Sequence, residues 1–399
     1  MNWKGVTAMD QRVRFISEYL KVYFPITELC AQFEISRKTG YKWLRRYKEF
    51  GAAGLTDRSR KPRHCPHRTE EDVIVDMLRE RKKHPSWGPK KLLHVLLERH
   101  RSSVLPAIST AADILKRNGL ILPGKRRLRR QHPGCPKSTT QGPNDIWTAD
   151  YKGQFKTRNG RYCYPLTVCD MHSRFLLGTD VHDTVSLVNT KKHFTELFHE
   201  YGLPKRIRTD NGVPFASSAI ARLSTLSAWW IKLGIYPEQI EPGMPQQNGK
   251  HERMHRTMKK EATIPPEKNL AVQQERFDRF RAEFNNVRPH EALGMKTPAA
   301  VYQPSERRMP KKLGHFDYPS HFEVRLVSDN GGIRWLTNWV YVTSTLALEY
   351  VGFEEMEEGV FDVYFCDFRV GRFFEKENKI MDLIARVPTR LRASKHQNL

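Results

Sequence analysis

The chain has 399 residues, of which 39% are hydrophobic and 11% aromatic, enough for two or three domains with real cores. Its formal net charge is +24, and +17 of this lies within residues 1–130. Such asymmetry favours a front end that binds nucleic acid, with an anionic membrane surface as the alternative partner. No stretch approaches the roughly 18 apolar residues of a spanning helix, and MNWKGVTAMDQR lacks the apolar core of a signal peptide. We therefore predict a cytoplasmic protein without a membrane partner.

The six cysteines suit a reducing compartment. None of them forms a C-x-x-C pair. HCPH at 64–67, together with His132 and Cys135, can be interpreted as a zinc site. That spacing matches no common zinc pattern, and the stretch is a Pro-rich linker.

Three helices are predicted near the N-terminus. Residues 10–23 form an amphipathic pattern, Thr27 is a candidate cap for the short helix ELCAQF, and Ser36 is one for RKTGYKWLRRYKEF. A helix, a three-residue turn and a cationic second helix form the layout of a helix-turn-helix, although a plain helical hairpin is the alternative.

The second helix of this pair would enter the major groove of DNA. Trp43 and Leu44 are expected to pack inward. The side chains predicted to face DNA come from its N-terminal half: Arg37, Lys38, Thr39 and Lys42.

A similar pattern recurs over residues 68–122. One helix is predicted from Thr69 through Lys83, another in HPSWGPKKLLHVLLERH, and a third in TAADILKRNGL with Ser109 as its cap. This is either a second helix-turn-helix or a three-helix packing domain. The run GKRRLRR follows, as a solvated linker or as a strap on phosphates formed by Arg126, Arg127, Arg129 and Arg130.

From residue 146 the pattern changes to short strands. IWTADYKGQF, YCYPLTVCD, FLLGTDV, RIRTDNG and YPEQIEP are strand-like, with a hairpin turn at RNG and helices over 184–201, 217–233 and 270–286. This order predicts an α/β sheet flanked by helices. Beyond a linker, alternating segments that turn at DNGG predict a small all-β barrel, with a core partly made of Trp335, Trp339, Tyr341, Phe365 and Phe368.

Three acids in the α/β region invite a metal-site interpretation. Asp150 lies in the first strand, Asp210 ends the fourth, and Glu252 stands near the start of a later helix. If those two strands are adjacent, the aspartates are neighbours, and a helix packed at that edge can bring Glu252 to them. Hard oxygen ligands suit Mg²⁺ or Mn²⁺, and two such ions about 3.5–4 Å apart can promote attack on a phosphodiester. A salt-bridged surface helix is the alternative for Glu252.

The surrounding segments are more specific. WTADYKG, TDNGVPF, PGMPQQNGKHERMHRTMKKE and NNVRPHEALGMKTPAAVY resemble, in this order, the signature segments of DDE transposases of bacterial insertion sequences with a retroviral-integrase-like core. The resemblance covers roughly residues 140–303. It implies a ribonuclease-H-like catalytic domain with Asp150, Asp210 and Glu252 as ligands of two metal ions, and a C-terminal SH3-like barrel. Many relatives have fewer residues between the second and third acids than the 41 found here.

The resemblance also assigns a role to the cations around Glu252. Arg256 and Lys259, four and seven residues later, share its helical face, and the matching integrase positions contact the DNA end. Asn248 falls where integrases carry a DNA-contacting amide. The alternatives are a solvated charged face and a plain helix cap, and Arg288 and His290 are either structural or close to DNA.

The resulting expectation is a transposase. Helix-turn-helix modules would read terminal inverted repeats, and the core would free a 3′-hydroxyl and drive it into target double-stranded DNA, within a homodimer or larger oligomer. A DNA-binding regulator with a silent core and a ribonuclease-H-type nuclease are the alternatives. The expected domains are residues 1–60 and 68–122 (helix-turn-helix), 123–140 (basic linker), 141–304 (catalytic core), 316–385 (barrel) and 386–399 (basic tail).

Overall fold

The computed structural model describes residues 7–58, 68–100, 104–121, 138–241 and 244–382. The chain divides into two compact units, Met1–Arg68 and Thr69–Leu399. Among the described residues, no helix is both long and apolar enough to cross a membrane. Several predicted features lie outside this part of the chain: the zinc site at Cys65 and Cys135, the basic tail, and the phosphate strap with Arg126, Arg127, Arg129 and Arg130.

The first unit is a three-helix domain: α1 (Ala8–Leu20), α2 (Ile26–Gln32) and α3 (Arg37–Phe50). Ser36 caps α3 as predicted, because its hydroxyl accepts from the Thr39 amide at 3.2 Å. The predicted cap at Thr27 is wrong. Pro25 precedes the first turn of α2 in an extended conformation, and Thr27 lies inside the helix.

Tight packing of α3 holds this domain together. Trp43 and Leu44 are buried, as predicted. Gly40 faces the other helices so closely that a Cβ there would lie 2.5 Å from Cys30 Sγ and 3.1 Å from Phe15 Cζ. A larger residue at this position would force α3 away from its partners. The buried core consists of Phe15, Ile16, Leu29, Cys30, Trp43, Leu44 and Leu55.

The second unit begins with three further helices: α4 (Glu71–Lys83), α5 (Pro89–Arg99) and α6 (Ile108–Arg117). Their shared core includes Met77, Trp87, Leu92, Leu96, Ala111 and Leu115. The predicted cap at Ser109 is wrong, since α6 begins one residue earlier, after Ala107, without a side-chain cap.

A mixed six-stranded sheet forms the centre of this unit. Its strands are β1 (Ile146–Tyr151), β2 (Phe155–Lys156), β3 (Tyr162–Asp170), β4 (Leu176–His182), β5 (Arg206–Thr209) and β6 (Tyr236–Gln239). They lie in the order β2-β3-β1-β5-β6, and β4 pairs with β3. β1 and β5 are parallel neighbours, so the predicted adjacency of these two strands is confirmed.

Four helices accompany the sheet: α7 (Leu187–Tyr201), α8 (Thr225–Lys232), α9 (Gly249–Met258) and α10 (Leu270–Asn286). The helix predicted over residues 217–233 is shorter than expected. A 3₁₀ turn at Ile220–Arg222 interrupts it, because Ala221 has a φ of +50°. Ser224 then caps α8.

The C-terminal region is antiparallel. Its strands are β7 (Glu323–Leu326), β8 (Gly332–Trp335), β9 (Asn338–Tyr341), β10 (Tyr350–Glu357), β11 (Val360–Phe365), β12 (Phe368–Phe374) and β13 (Lys379–Asp382). Five of them form one sheet in the order β13-β12-β11-β10-β7, and β8 and β9 form a hairpin.

The predicted core of this region is partly wrong. Trp335 and Phe365 are buried and Phe368 packs against them, but Trp339 and Tyr341 are 49% and 53% exposed. Both lie on β9, in a two-stranded hairpin that leaves one face in solvent.

Candidate active site

Two neighbouring inner strands place the first two acids at one end of the sheet. The parallel register pairs Thr148 of β1 with Arg208 of β5. Asp150 lies two residues beyond Thr148, and Asp210 lies two residues beyond Arg208. The two aspartates therefore stand side by side where these strands end. Glu252 is in the first turn of α9 and is exposed.

The charges of Asp210 and Glu252 both act on the carboxyl group of Asp150. Burial, then the charge of Asp210 and to a smaller extent that of Glu252, together raise the pKa of Asp150 from 3.8 to about 7, while Lys152 opposes them. Carboxylates so close together repel one another unless a proton or a cation neutralises them.

Burial and this repulsion together predict that the stability of the metal-free chain depends on pH. Since the folded-state pKa of Asp150 lies above its unfolded value, the protonated form favours folding, and that contribution is lost as the pH rises from about 4 to about 7. With a chelator present, Asp150→Asn should raise the unfolding midpoint by several degrees at pH 8 and by little at pH 4. Thermal unfolding at both pH values tests this. An equal effect of Asp150→Asn at the two pH values would contradict it.

A glycine keeps Asp210 unobstructed. The Asp210 carboxylate accepts a hydrogen bond from the Gly212 amide at 3.1 Å. A Cβ on Gly212 would lie 3.1 Å from the other carboxylate oxygen of Asp210. A side chain there would press on that acid.

A buried arginine ties the helix that carries Glu252 to the sheet. Arg208 is fully buried and donates to Glu238 on β6 at 2.5 Å. Its guanidinium also donates to the carbonyl of Gln247, just before α9, at 3.0 Å, and to the carbonyl of Ser138 at 3.1 Å. This network was not predicted from the sequence. It positions the start of α9 beside the strand that leads to Asp210.

Two histidines on α9 do not behave as the sequence indicated. His251 and His255 stand among the basic residues around Glu252 in the sequence, but both side chains are buried. Burial lowers their pKa values to about 3 and about 2, so both are neutral at pH 7. These two side chains are therefore not available as cationic contacts to DNA.

The two imidazoles belong to a buried hydrogen-bonded chain. Thr148 Oγ1 lies 2.8 Å from His251 Nδ1, and Thr167 Oγ1 lies 2.7 Å from His251 Nε2 and 2.6 Å from His255 Nε2. His255 Nδ1 lies 3.6 Å from Asp150 Oδ2. Ligand atoms of Asp150, His251 and His255 lie within 4.8 Å of one another, so they form a second possible metal-holding group. The threonine hydroxyls already engage both ring nitrogens of His251.

The predicted DNA contacts near Glu252 have different environments. Arg256, Lys259 and Lys260 are exposed. The regular helix ends at Met258 and continues as a π-helical turn, Lys259–Thr263. Asn248 is only 6% exposed, and its side-chain oxygen is buried without a hydrogen-bond partner among the described residues. The DNA contact of Asn248 stays a prediction.

The residues of α3 that are predicted to face DNA differ in their exposure to solvent. Arg37, Lys38 and Lys42 are exposed. Thr39 is half-buried, and its hydroxyl lies 2.9 Å from that of Ser36. The structure therefore gives Thr39 a contact within the helix cap.

Comparison with known proteins agrees with this arrangement. Models described as integrase core domain match residues 140–245 and 233–298. A helix-turn-helix domain matches residues 11–63, and a homeodomain-like domain matches residues 39–115. The fold and site thus define a protein that joins helix-turn-helix modules to an integrase core.

Two relatives are insertion-element proteins. The chain is 30% identical over 158 residues to the insertion element IS476 protein of Xanthomonas euvesicatoria, covering 39% of this chain and 44% of that one. It is 25% identical over 230 residues to the insertion element IS407 protein of Burkholderia multivorans, covering 57% and 78%. The chain is thus similar to these insertion-element proteins, and it spans less than half the length of the first of them.

A solved structure resembles part of the chain. The HTLV-2 integrase catalytic core domain in complex with magnesium is 17% identical, with a TM-score of 0.33, over 41% of this chain and 100% of that one.

Proposed function

We propose that this protein binds the terminal inverted repeats of a mobile element and catalyses metal-dependent 3′-end cleavage and strand transfer of DNA. The observation that carries the proposal is the parallel pairing of β1 with β5, which supports placing Asp150 beside Asp210, together with the charge interaction of both Asp210 and Glu252 with Asp150. The helix-turn-helix modules in the same chain would bind DNA and bring it to that site.

The three acids suit a divalent cation. Their carboxylate oxygens are hard donors of the kind that Mg²⁺ and Mn²⁺ prefer, and the charge that raises the pKa of Asp150 is the charge a cation would neutralise. We propose two ions held by Asp150, Asp210 and Glu252, which when bound would promote attack by a hydroxyl and stabilise the departing oxygen.

The chain's own residues would position the reactants. Asp150 and Asp210 are fixed by paired strands, and Arg208 holds the start of α9 against the sheet. Arg256 and Lys259 would neutralise phosphates beside the scissile bond. In-line transfer needs this alignment and charge neutralisation, without a covalent bond to the protein.

The finer architecture belongs to the same proposal. We assign residues 1–60 and 68–122 to DNA-binding modules, 141–304 to a ribonuclease-H-like core and 316–385 to an SH3-like barrel; the antiparallel order of the C-terminal strands supports the barrel. Because the reaction joins two element ends, we propose a homodimer or larger oligomer, acting in the cytoplasm.

Strand transfer tests the function directly. The full chain should join pre-cleaved terminal-repeat DNA to a target duplex when Mg²⁺ is added, and should not join it in a chelator. Binding to the repeats without any joining would instead indicate the regulator with a silent core.

Two adjacent lysines allow a sharper test of the site. Lys259 directly follows the regular turns of α9, so it lies on the same side as Glu252 and about 10 Å further along at 1.5 Å per residue, whereas Lys260 lies within the π-helical turn and points to a different side. Lys259→Ala should lower joining about equally for every end sequence, because a phosphate contact carries no sequence information. Repeat binding by the front modules should change little.

Lys260→Ala is the matched control, since Lys260 is also exposed. Joining of pre-cleaved ends is measured at two salt concentrations for both variants. Equal impairment of the two would mean that the charges form a general solvated face. Normal joining by Lys259→Ala would remove this residue from the proposed DNA contacts.

A further inference from the structure

A cationic cavity lies on the other side of α9 from Glu252. Its volume is about 390 Å³, and it opens between α9, the turn after β3, the end of α10 and α5. Acids in its lining are Asp170 and Glu291. Its basic lining consists of Lys91, Arg174, Lys250, Arg253 and Arg288.

Helix geometry separates this cavity from the three acids. Lys250, Met254 and Thr257 line it from α9, and they recur at the spacing of one helical face. At about 100° per residue, Glu252 lies roughly 200° from both Lys250 and Met254. The cavity is therefore distinct from the proposed metal site.

The acids of the cavity already have partners. Asp170 accepts hydrogen bonds from the amides of Asn144, at 2.8 Å, and Ser173, at 2.7 Å. Glu291 lies 3.3 Å from Lys90 Nζ. Both acids thus have partners outside the basic lining of the cavity.

Arg288 is largely engaged in structure. It forms an ion pair with Glu261 at 2.8 Å and contacts Ser86 at 3.3 Å. Arg288 therefore has a structural role, because it links the turn between α4 and α5 to the π-helical turn after α9. Its charge nevertheless reaches the cavity, where burial and then Arg288 lower the pKa of Lys91 to about 8.

Arg174 has an unmet hydrogen-bonding need. Its Nε is buried and has no hydrogen-bond partner among the described residues. The residue has a φ of +65°, a conformation that a non-glycine residue rarely adopts. The turn between β3 and β4 thus holds a strained arginine at the wall of a cavity rich in positive charge.

We propose that this cavity binds a phosphate group, supplied by the DNA backbone. A phosphate offers several acceptor oxygens to the Arg174 Nε and to the neighbouring Lys91 and Arg253. The assignment of DNA as the source rests on the proposed function. Free inorganic phosphate shares the chemistry and is the alternative source. If a DNA phosphate occupies the cavity, α9 contacts DNA from two sides. Lys259 would contact it near the metal site, and Arg253 would contact it at this cavity.

The first experiment uses inorganic phosphate on the full chain without a divalent cation. Arginine Nε–Hε resonances are followed by NMR, and Arg174→Asn identifies the resonance of Arg174. Asn is chosen because it removes the charge and tolerates a positive φ. The Arg174 resonance should shift with phosphate and saturate. If it does not shift, no phosphate site exists here and the inference is overturned.

The second experiment measures the salt dependence of DNA binding. Each lost phosphate contact should reduce the slope of log K against log salt by about 0.9. Arg174→Asn should show this reduction. Arg253→Gln should show it too, and this second variant replaces an exposed side chain without disturbing α9. Arg279→Gln on α10 is the matched control, because Arg279 is also exposed and lies outside the cavity.

The outcomes separate the two sources. A shifted Arg174 resonance with reduced slopes supports a DNA phosphate. A shifted resonance with unchanged slopes assigns the cavity to free phosphate and overturns the DNA source. Neither experiment requires cleavage, so loss of this inference would leave the proposed function intact, and a chain without joining activity could still show the phosphate site.

Discussion

Asp150→Asn is expected to abolish both cleavage and joining while leaving terminal-repeat binding nearly unchanged. Asp150 is assigned to the metal site, and removing one charged oxygen from a set of three carboxylates disorders the ions that the reaction needs. The residue is not expected to contact DNA. Asp150→Asn should therefore lower the rate of joining while the affinity for DNA stays the same.

Joining of pre-cleaved ends in Mg²⁺ and equilibrium binding to repeat DNA are the two measurements. Asp210→Asn and Glu252→Gln should behave like Asp150→Asn. Asp183→Asn is the control, because Asp183 is an exposed aspartate at the end of β4. Substantial Mg²⁺-dependent joining by Asp150→Asn would remove this residue from the catalytic set.

The second large effect concerns salt. Since +17 of the net charge lies in residues 1–130, binding to the repeats should depend steeply on ionic strength. Six to ten phosphate contacts would lower the affinity by roughly 10³–10⁵ between 50 and 200 mM salt. Binding titrations of the full chain on repeat and random DNA measure both this slope and the preference for repeats.

Variants on α3 refine this prediction. Lys42→Gln should weaken binding, whereas Lys48→Gln, on the same helix beyond the predicted contact region, should change it less; both lysines are exposed. A flat salt dependence, or equal affinity for repeat and random DNA, would contradict the assignment of the front modules as readers of the repeats.

Much of the site could be predicted because it depends on local pattern and on strand order. Asp150 lies near the end of β1 and Asp210 directly follows β5, and parallel pairing of those strands places the two residues at the same end of the sheet. The bounds of α10 were also predictable, because Asn269 caps it and its apolar residues recur at helical spacing.

Features that depend on tertiary burial were not predictable. The sequence shows His251 and His255 within a charged helix, and only packing against β1 and β3 makes them buried and neutral. Arg208 is likewise an ordinary basic residue in sequence, yet it is fully buried and paired with Glu238. Strand β10 is hard to predict from the sequence, because its acidic end, EEME, interrupts the apolar alternation.

The most direct test of the central claim is Mn²⁺ binding to the full chain at pH 8, followed by titration calorimetry in the absence of DNA. The wild-type chain and Asp183→Asn should bind Mn²⁺ alike, whereas Asp210→Asn should bind it at least tenfold more weakly, because one carboxylate of the set is lost. Equal Mn²⁺ affinity in Asp210→Asn and the wild-type chain would contradict the claim that these three acids hold the metal.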